Sequence, residues 1–193
     1  MHRTALLTVS DTSPSDDPED RTVQAIREVL ERGPFVEVDY ARVPSEQARV
    51  RAQLRLWSDA GRTDLVLTSG GIGLAPRDRA PEATRDVIDR EVPGLAERMR
   101  AEGARVDPVA ALTRGVAGVR RDTLIVNLPA RPSEAADALA AVLPVLPRAL
   151  QVLRDARTVA DDEGTSDREG AGDRTSVAGS PPPPGDDTSG GPA

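Results

Sequence analysis

Three apolar stretches with almost no polar interruption, separated by segments of helical spacing, restrict this chain more than anything else it contains. Residues 4–9, 64–68 and 123–128 lack the in-and-out alternation of a half-wet strand, so they read as strands buried on both faces. A fourth segment does alternate: Val36, Val38 and Tyr40 take turns with Glu37 and Asp39, which predicts a strand with one wetter face. Asp20 is placed to N-cap a helix with the stripe Val23, Ile26, Val29 and Leu30, stopped by Gly33-Pro34. Ser45 is placed to cap a second, with Val50, Leu54 and Trp57 as its core stripe, ending at Gly61. Pro81 suits the first turn of a third, over residues 82–90, and Pro93-Gly94 separates it from a helical run at 95–102. Residues 109–112 form a short apolar piece, and Gly115 and Gly118 loosen the loop that follows. The Ala/Leu-rich segment 133–153 is helical, split or kinked by Pro144 and Pro147. Strand and helix in this order predict an α/β fold: three layers, a mostly parallel sheet, and helices on both faces.

The alternation stops near Arg157. Beyond it the chain turns to Gly, Asp, Ser, Thr and Pro, with four consecutive prolines at 181–184, a composition that buries no core. The expected organisation is a folded domain over residues 1–157 and a disordered acidic Gly/Pro/Ser-rich tail over 158–193. Nine acidic residues and three arginines lie between 155 and 193, so the tail holds nearly all of the chain's net charge of −7. The folded part is close to neutral, and nothing in it calls for a nucleic-acid partner. No span is long and apolar enough for a membrane or a secretory signal, and a cytoplasmic location is expected.

Three absences narrow the chemistry. Without cysteine there is no thiolate nucleophile or sulfur-ligated metal. The one histidine, His2, is expected at a mobile terminus, away from any triad or zinc site. All 25 basic residues are arginine, which excludes a P-loop lysine and Schiff-base catalysis. Carboxylates, hydroxyls, arginines, backbone dipoles and a hard cation remain, the means by which phosphoryl and nucleotidyl groups are transferred.

Ligands of an open α/β sheet sit beyond the carboxyl ends of its strands. Polar clusters occur at three such ends: Ser10 and Asp11 after the first, Thr68-Ser69-Gly70-Gly71-Ile72-Gly73 with Asp78 after the third, and Asn127 with Pro129 at the last. The glycines allow positive φ and a close approach of a ligand to backbone N–H groups, which makes the middle cluster an anion site with one carboxylate beside it. Singly, each has a plainer reading: a tight turn, a capping aspartate, a solvated ion pair. Arg114 and the pair Arg120-Arg121 are candidates for phosphate, or simply solvated loop residues.

Taken together, these segments resemble a known family. Thr68 to Gly73 running into Pro76-Arg77-Asp78, then Ala80-Pro81-Glu82-Ala83-Thr84 and Asp89-Arg90-Glu91-Val92-Pro93-Gly94, are similar to the MogA/MoaB pattern T-T-G-G-T-G-x-x-P-R-D-x-x-P-E-A-T followed by D-R-E-x-P-G. Thr8 to Asp11, Leu112 to Gly118 and Thr123 to Pro129 add further collinear matches, and the likeness covers roughly residues 4–154. The family consists of molybdopterin adenylyltransferases related to the gephyrin G domain. The resemblance implies a homotrimer that uses Mg²⁺ and ATP to adenylylate the terminal phosphate of molybdopterin, releasing pyrophosphate. A molybdate-insertion protein is an implied partner. Carried over by position, Asp78 is the catalytic and metal-binding carboxylate. Ser10, Asp11, Thr68, Ser69, Gly70, Gly71, Gly73 and Glu82 form the molybdopterin side, and Asn127 and Pro129 the nucleotide side. Four departures stand at the site: Ser45 where the family has Asp after Val-Pro, Ile72 where it has Thr, Ala130 where it has Gly, and Asp20-Arg21-Thr22-Val23 for D-R/K-S/G-G. Two readings follow. One is an active enzyme in which Glu46 or the acids of 16–20 replace the missing Asp. The other is a pterin-binding or scaffold paralogue without turnover.

Overall fold

The computed structural model describes residues 1–12 and 20–169, with side chains as far as Thr158. The acids at 16, 17 and 19 and the four prolines at 181–184 lie outside the described residues. The elements run β1 (His2–Val9), α1 (Arg21–Leu30), β2 (Phe35–Val43), α2 (Gln47–Asp59), β3 (Leu65–Ser69), α3 (Ala80–Arg85), β4 (Arg90–Glu91), α4 (Pro93–Val106), a 3₁₀ turn (Pro108–Leu112), β5 (Ala117–Arg120), β6 (Thr123–Leu128), α5 (Pro132–Val142) and α6 (Leu146–Glu169).

The strands form one sheet in the order β2-β1-β3-β6-β5-β4. The first four are mutually parallel, and β5 and β4 close one edge in antiparallel fashion. Alternate side chains of the central strands enter two cores. Leu6, Leu65, Leu67, Leu124, Val126 and Leu128 pack against α1, α4, α5 and α6. Ala5, Leu7, Val9, Val66 and Ile125 pack against α2 and α3. This is the expected three-layer α/β arrangement. The central strands β1, β3 and β6 are largely apolar on both faces because both faces are covered, and each fully buried Leu, Ile or Val contributes about 1.5–3 kcal/mol.

Several local expectations differ from what forms. The helix expected over 82–90 ends at Arg85, and Arg90–Glu91 pair with Val119 and Gly118 instead. Gly118 does not loosen a loop. It lies within β5, where a Cβ would come within 2.5 Å of Ile88 Cδ1 and 2.8 Å of the Arg90 carbonyl, so only glycine admits the edge strand. Strand β2 has no dry face: Val36, Val38 and Tyr40 are all exposed, because β2 lies at the sheet edge. Ser45 does not cap α2; Glu46 takes the N-cap position without a side-chain bond. His2 is not at a loose end but inside β1, buried beside Phe35. Pro144 falls in the break between α5 and α6, where the axis turns by 60°. Helix α6 then runs past Arg157 to Glu169. No single helix among the described residues is long and apolar enough to cross a membrane.

Candidate functional site

The parallel strands β1, β3 and β6 end side by side, and their loops meet. Ser10 N–H donates to the Val43 carbonyl, and Gly70 N–H donates to the Leu128 carbonyl, so the three loops leave from a common rim. Gly70 (φ 94°) and Gly71 (φ 65°) both take left-handed backbone. A Cβ on Gly70 would run into the Val9 carbonyl oxygen, at a separation no side chain could tolerate. Past this turn, the N–H groups of Gly71, Ile72 and Gly73 donate to no acceptor among the described residues. Successive unpaired N–H groups in such a turn make a concavity suited to an anion.

Asp78 stands beside this concavity. Its Oδ2 accepts from Ala75 N–H at 3.1 Å and lies 2.7 Å from where a Cβ on Gly73 would be, so Gly73 keeps the carboxylate against the loop. Asp78 has no ion-pair partner among the described residues and is half-exposed. Asp11 is also at the rim but is engaged: Oδ1 accepts from Ser45 N–H at 2.8 Å and Oδ2 pairs with Arg77 at 3.2 Å. The Ser10 hydroxyl accepts from Thr12 N–H at 3.1 Å.

Thr68 and Asn127 lie one layer below. Both are buried. Asn127 donates to the Thr68 and Thr84 hydroxyls, each at 2.9 Å, and accepts from Val116 N–H at 3.1 Å, tying β3, α3 and the start of β5 to β6. Turning this amide toward a ligand would leave three buried groups unpaired at about 1–3 kcal/mol each, against about 1 kcal/mol for one new bond. The residue thus braces the rim, and it also stands on the wall of the cavity beside the glycine loop. Ser69 is also buried in β3, whereas Pro129 is half-buried at the β6 end.

Arg114 is the residue whose role sequence reasoning misjudged. It neither meets solvent freely nor faces an empty site. Its backbone N–H donates to the Ile72 carbonyl, its Nε to the Gly73 carbonyl at 2.7 Å, and its Nη atoms to the Asp78 carbonyl and the Glu82 carboxylate. The hydrogen bond from Arg114 holds the Glu82 carboxyl below its ordinary value, outweighing the opposing effect of burial. Glu82 is thereby a loop-ordering group in α3. No local pattern reveals such a clamp, since its partners stand 32 to 41 residues away. Arg120 and Arg121 are remote from the site. They pair with Asp59 at the turn before β6, beneath the amino ends of the parallel strands.

Two of the four departures take plain structural places. The Ile72 side chain is buried in the core on the α2/α3 side, so an isoleucine there anchors the loop and takes nothing from its N–H surface. Ala130 does not need positive φ. Its carbonyl accepts from the Thr22 hydroxyl at 2.6 Å, joining the β6 loop to α1. Beside the glycine loop opens a largely apolar cavity of about 330 Å³, walled by Ile72, Met99, Thr113, Gly115, Pro129 and Ala138 among others.

The family described as "Probable molybdopterin binding domain" matches residues 5–148. A Helicobacter pylori J99 protein named molybdopterin adenylyltransferase is 36% identical over 150 residues, covering 77% of this chain and 85% of that one. The crystal structure of the molybdopterin biosynthesis enzyme MoaB from Thermus thermophilus superposes with a TM-score of 0.74 at 57% identity, over 79% of this chain and 96% of that one. The Drosophila melanogaster molybdenum cofactor synthesis protein cinnamon is 33% identical over 151 residues, but the chain spans only 25% of its length. The matched segment contains every loop that builds the rim, and the chain accordingly belongs to the molybdopterin-binding domain family of molybdenum cofactor biosynthesis.

Proposed function

We propose that the chain is a molybdopterin adenylyltransferase, transferring AMP from ATP to the terminal phosphate of molybdopterin with release of pyrophosphate. The observation that carries this reading is the run of N–H groups at Gly71, Ile72 and Gly73, unpaired among the described residues, beside the carboxylate of Asp78, which has no ion-pair partner among them. A phosphate held by the three N–H groups has its charge spread without a lysine, and its nucleophilic oxygen faces outward from the loop. That oxygen forms a bond to the α-phosphorus of ATP as the bond from α-phosphorus to the bridging oxygen breaks, and pyrophosphate leaves. In such a transfer the protein's part is positioning and charge compensation. The apolar cavity beside the loop, with Pro129 on its wall, suits a flat heterocycle.

The chain's donor set fits magnesium in one respect. Mg²⁺ binds through one or two carboxylates together with substrate phosphates, and Asp78 supplies one half-exposed carboxylate free of any arginine among the described residues. Bound there, the ion would neutralise phosphate charge. No group of three or more candidate ligands occurs among the described residues, so the substrates themselves would complete its shell. A homotrimer in the cytoplasm, handing its product to a molybdate-insertion protein, belongs to the same proposal.

The second reading, a pterin-binding protein without turnover, rests on Ser45. Among the described residues, the carboxylate that touches residue 45 is that of Asp11, and it is already paired with Arg77. Purified protein given molybdopterin, ATP and Mg²⁺ is expected to release pyrophosphate, and Asp78→Asn to lower the rate by at least about 100-fold with the fold intact. Molybdopterin retained without pyrophosphate above background would establish the second reading instead.

A further inference from the structure

We infer that Arg114 is the positioning residue for Asp78, setting where the carboxylate stands without itself touching the substrates. The inference rests on the adenylyl-transfer reading for its kinetic half. Residues 72–78 form an exposed loop with little structure of its own. Within it, Asp78 N–H donates to the Ala75 carbonyl and Ala75 N–H returns a bond to the Asp78 carboxylate. Besides these, Arg79 Nε reaches the Pro76 carbonyl and Arg77 reaches Asp11. Ile72 anchors the start of the loop in the α2/α3 core, and the remaining side-chain hydrogen bonds that fix the loop to the body of the protein among the described residues come from Arg114. Arg114 takes the Gly73 carbonyl at one end of the loop, the Asp78 carbonyl at the other, and the Glu82 carboxylate in the first turn of α3. Its own backbone N–H is pinned to the Ile72 carbonyl at 2.9 Å.

Three points make this positioning and not substrate binding. The guanidinium has five N–H bonds, and four are directed at Gly73, Asp78 and the two oxygens of Glu82, the last at 3.5 Å. The contact to Asp78 is to its carbonyl, so the carboxylate stays available. The acceptors belong to three residues, two backbone carbonyls and one carboxylate, and a planar fork spans them where a point-like ammonium would not. Arg114 thus acts through Asp78, at one remove from the chemistry.

The test is Arg114→Lys, alone and combined with Asp78→Asn. Expected for the single variant is a kcat for pyrophosphate release lowered by about 100-fold, the loss that a misplacement of about 1 Å produces. The KM values for ATP and molybdopterin should stay within about twofold. In the Asp78→Asn background the same change should cost less than about twofold more, since there is no carboxylate left to place. A raised KM with kcat preserved, or an undiminished loss in the Asp78→Asn background, would show direct substrate contact and overturn the inference. Hydrogen exchange gives an arm independent of turnover. The amides of Ala75 and Asp78, the two that are hydrogen-bonded within the loop, should exchange about tenfold faster in Arg114→Lys, with those of β3 and β6 unchanged. Exchange equal to that of the parent protein, or faster across the whole sheet, overturns the inference even if the parent protein releases no pyrophosphate. That last outcome on its own would count against the adenylyl-transfer reading alone.

Discussion

Asp20 shows how one side chain can serve several elements at once. It sits in left-handed backbone (φ 44°, ψ 72°), caps α1 by accepting from Val23 N–H, and is buried. Its Oδ2 accepts from the Thr8 hydroxyl at 2.6 Å, the Tyr40 hydroxyl at 2.9 Å and Arg42 at 3.0 Å, joining β1, β2 and α1. Burial opposes its charge, but these bonds outweigh burial and hold its carboxyl below the ordinary aspartate value. A depressed folded-state value means that the stabilisation is complete above the unfolded-state pKa of about 3.9 and fades as pH falls through the folded one. Asp20→Asn should therefore lower stability by about 1–3 kcal/mol near pH 7, and the gap to the parent protein should narrow below about pH 4. Urea midpoints against pH measure this, and a gap constant from pH 7 to pH 3 would refute the ionised role. The capping half of this is legible, since an acid before an amphipathic stripe is a local pattern. The network is not, because Thr8, Tyr40 and Arg42 come together only when β1 and β2 pair. Ile72 carries the same lesson in reverse. In the string it looks like a lost hydroxyl in a phosphate loop, yet which way a loop side chain points is decided by the α2/α3 core beneath it.

Among elements, those with long apolar periods are readable and those defined by pairing are not. The stripes of α1 and α2 and the runs of β1, β3 and β6 carry their burial in their spacing. Strands β4 and β5 do not: one is two residues long, and the other contains Gly118, which reads as a loop until its neighbour's proximity is known. The glycine loop after β3 belongs to the first class. Its two left-handed glycines are expected from composition and are present, and they make a sharp prediction. Gly70→Ala drives a Cβ into the Val9 carbonyl in a conformation that L residues avoid, so it should destabilise by at least about 2 kcal/mol. Thermal unfolding would check it. A melting temperature within about 1 or 2 °C of the parent's, the range of a neutral surface change, would mean that the loop re-forms by another route.

At the scale of the molecule, the elements from β1 to α5 all fall within the unit Met1–Thr158. A chain ending at Thr158 should then keep its melting temperature, because the pairs Arg154–Asp64 and Arg157–Asp122 that tie α6 to the sheet remain. A fall of more than a few degrees would show that residues beyond 158 contribute to the fold. The sheet itself is lopsided at its margins. On one side it stops at β4, two residues long and too short to template a neighbour; on the other it stops at β2, nine residues long with Val36, Val38 and Tyr40 in the open. A strand can be added along one margin only. Any stacking of these sheets is therefore end-stopped: two copies joined β2 to β2 leave no long margin for a third, so the fold carries its own chain terminator against fibrous growth.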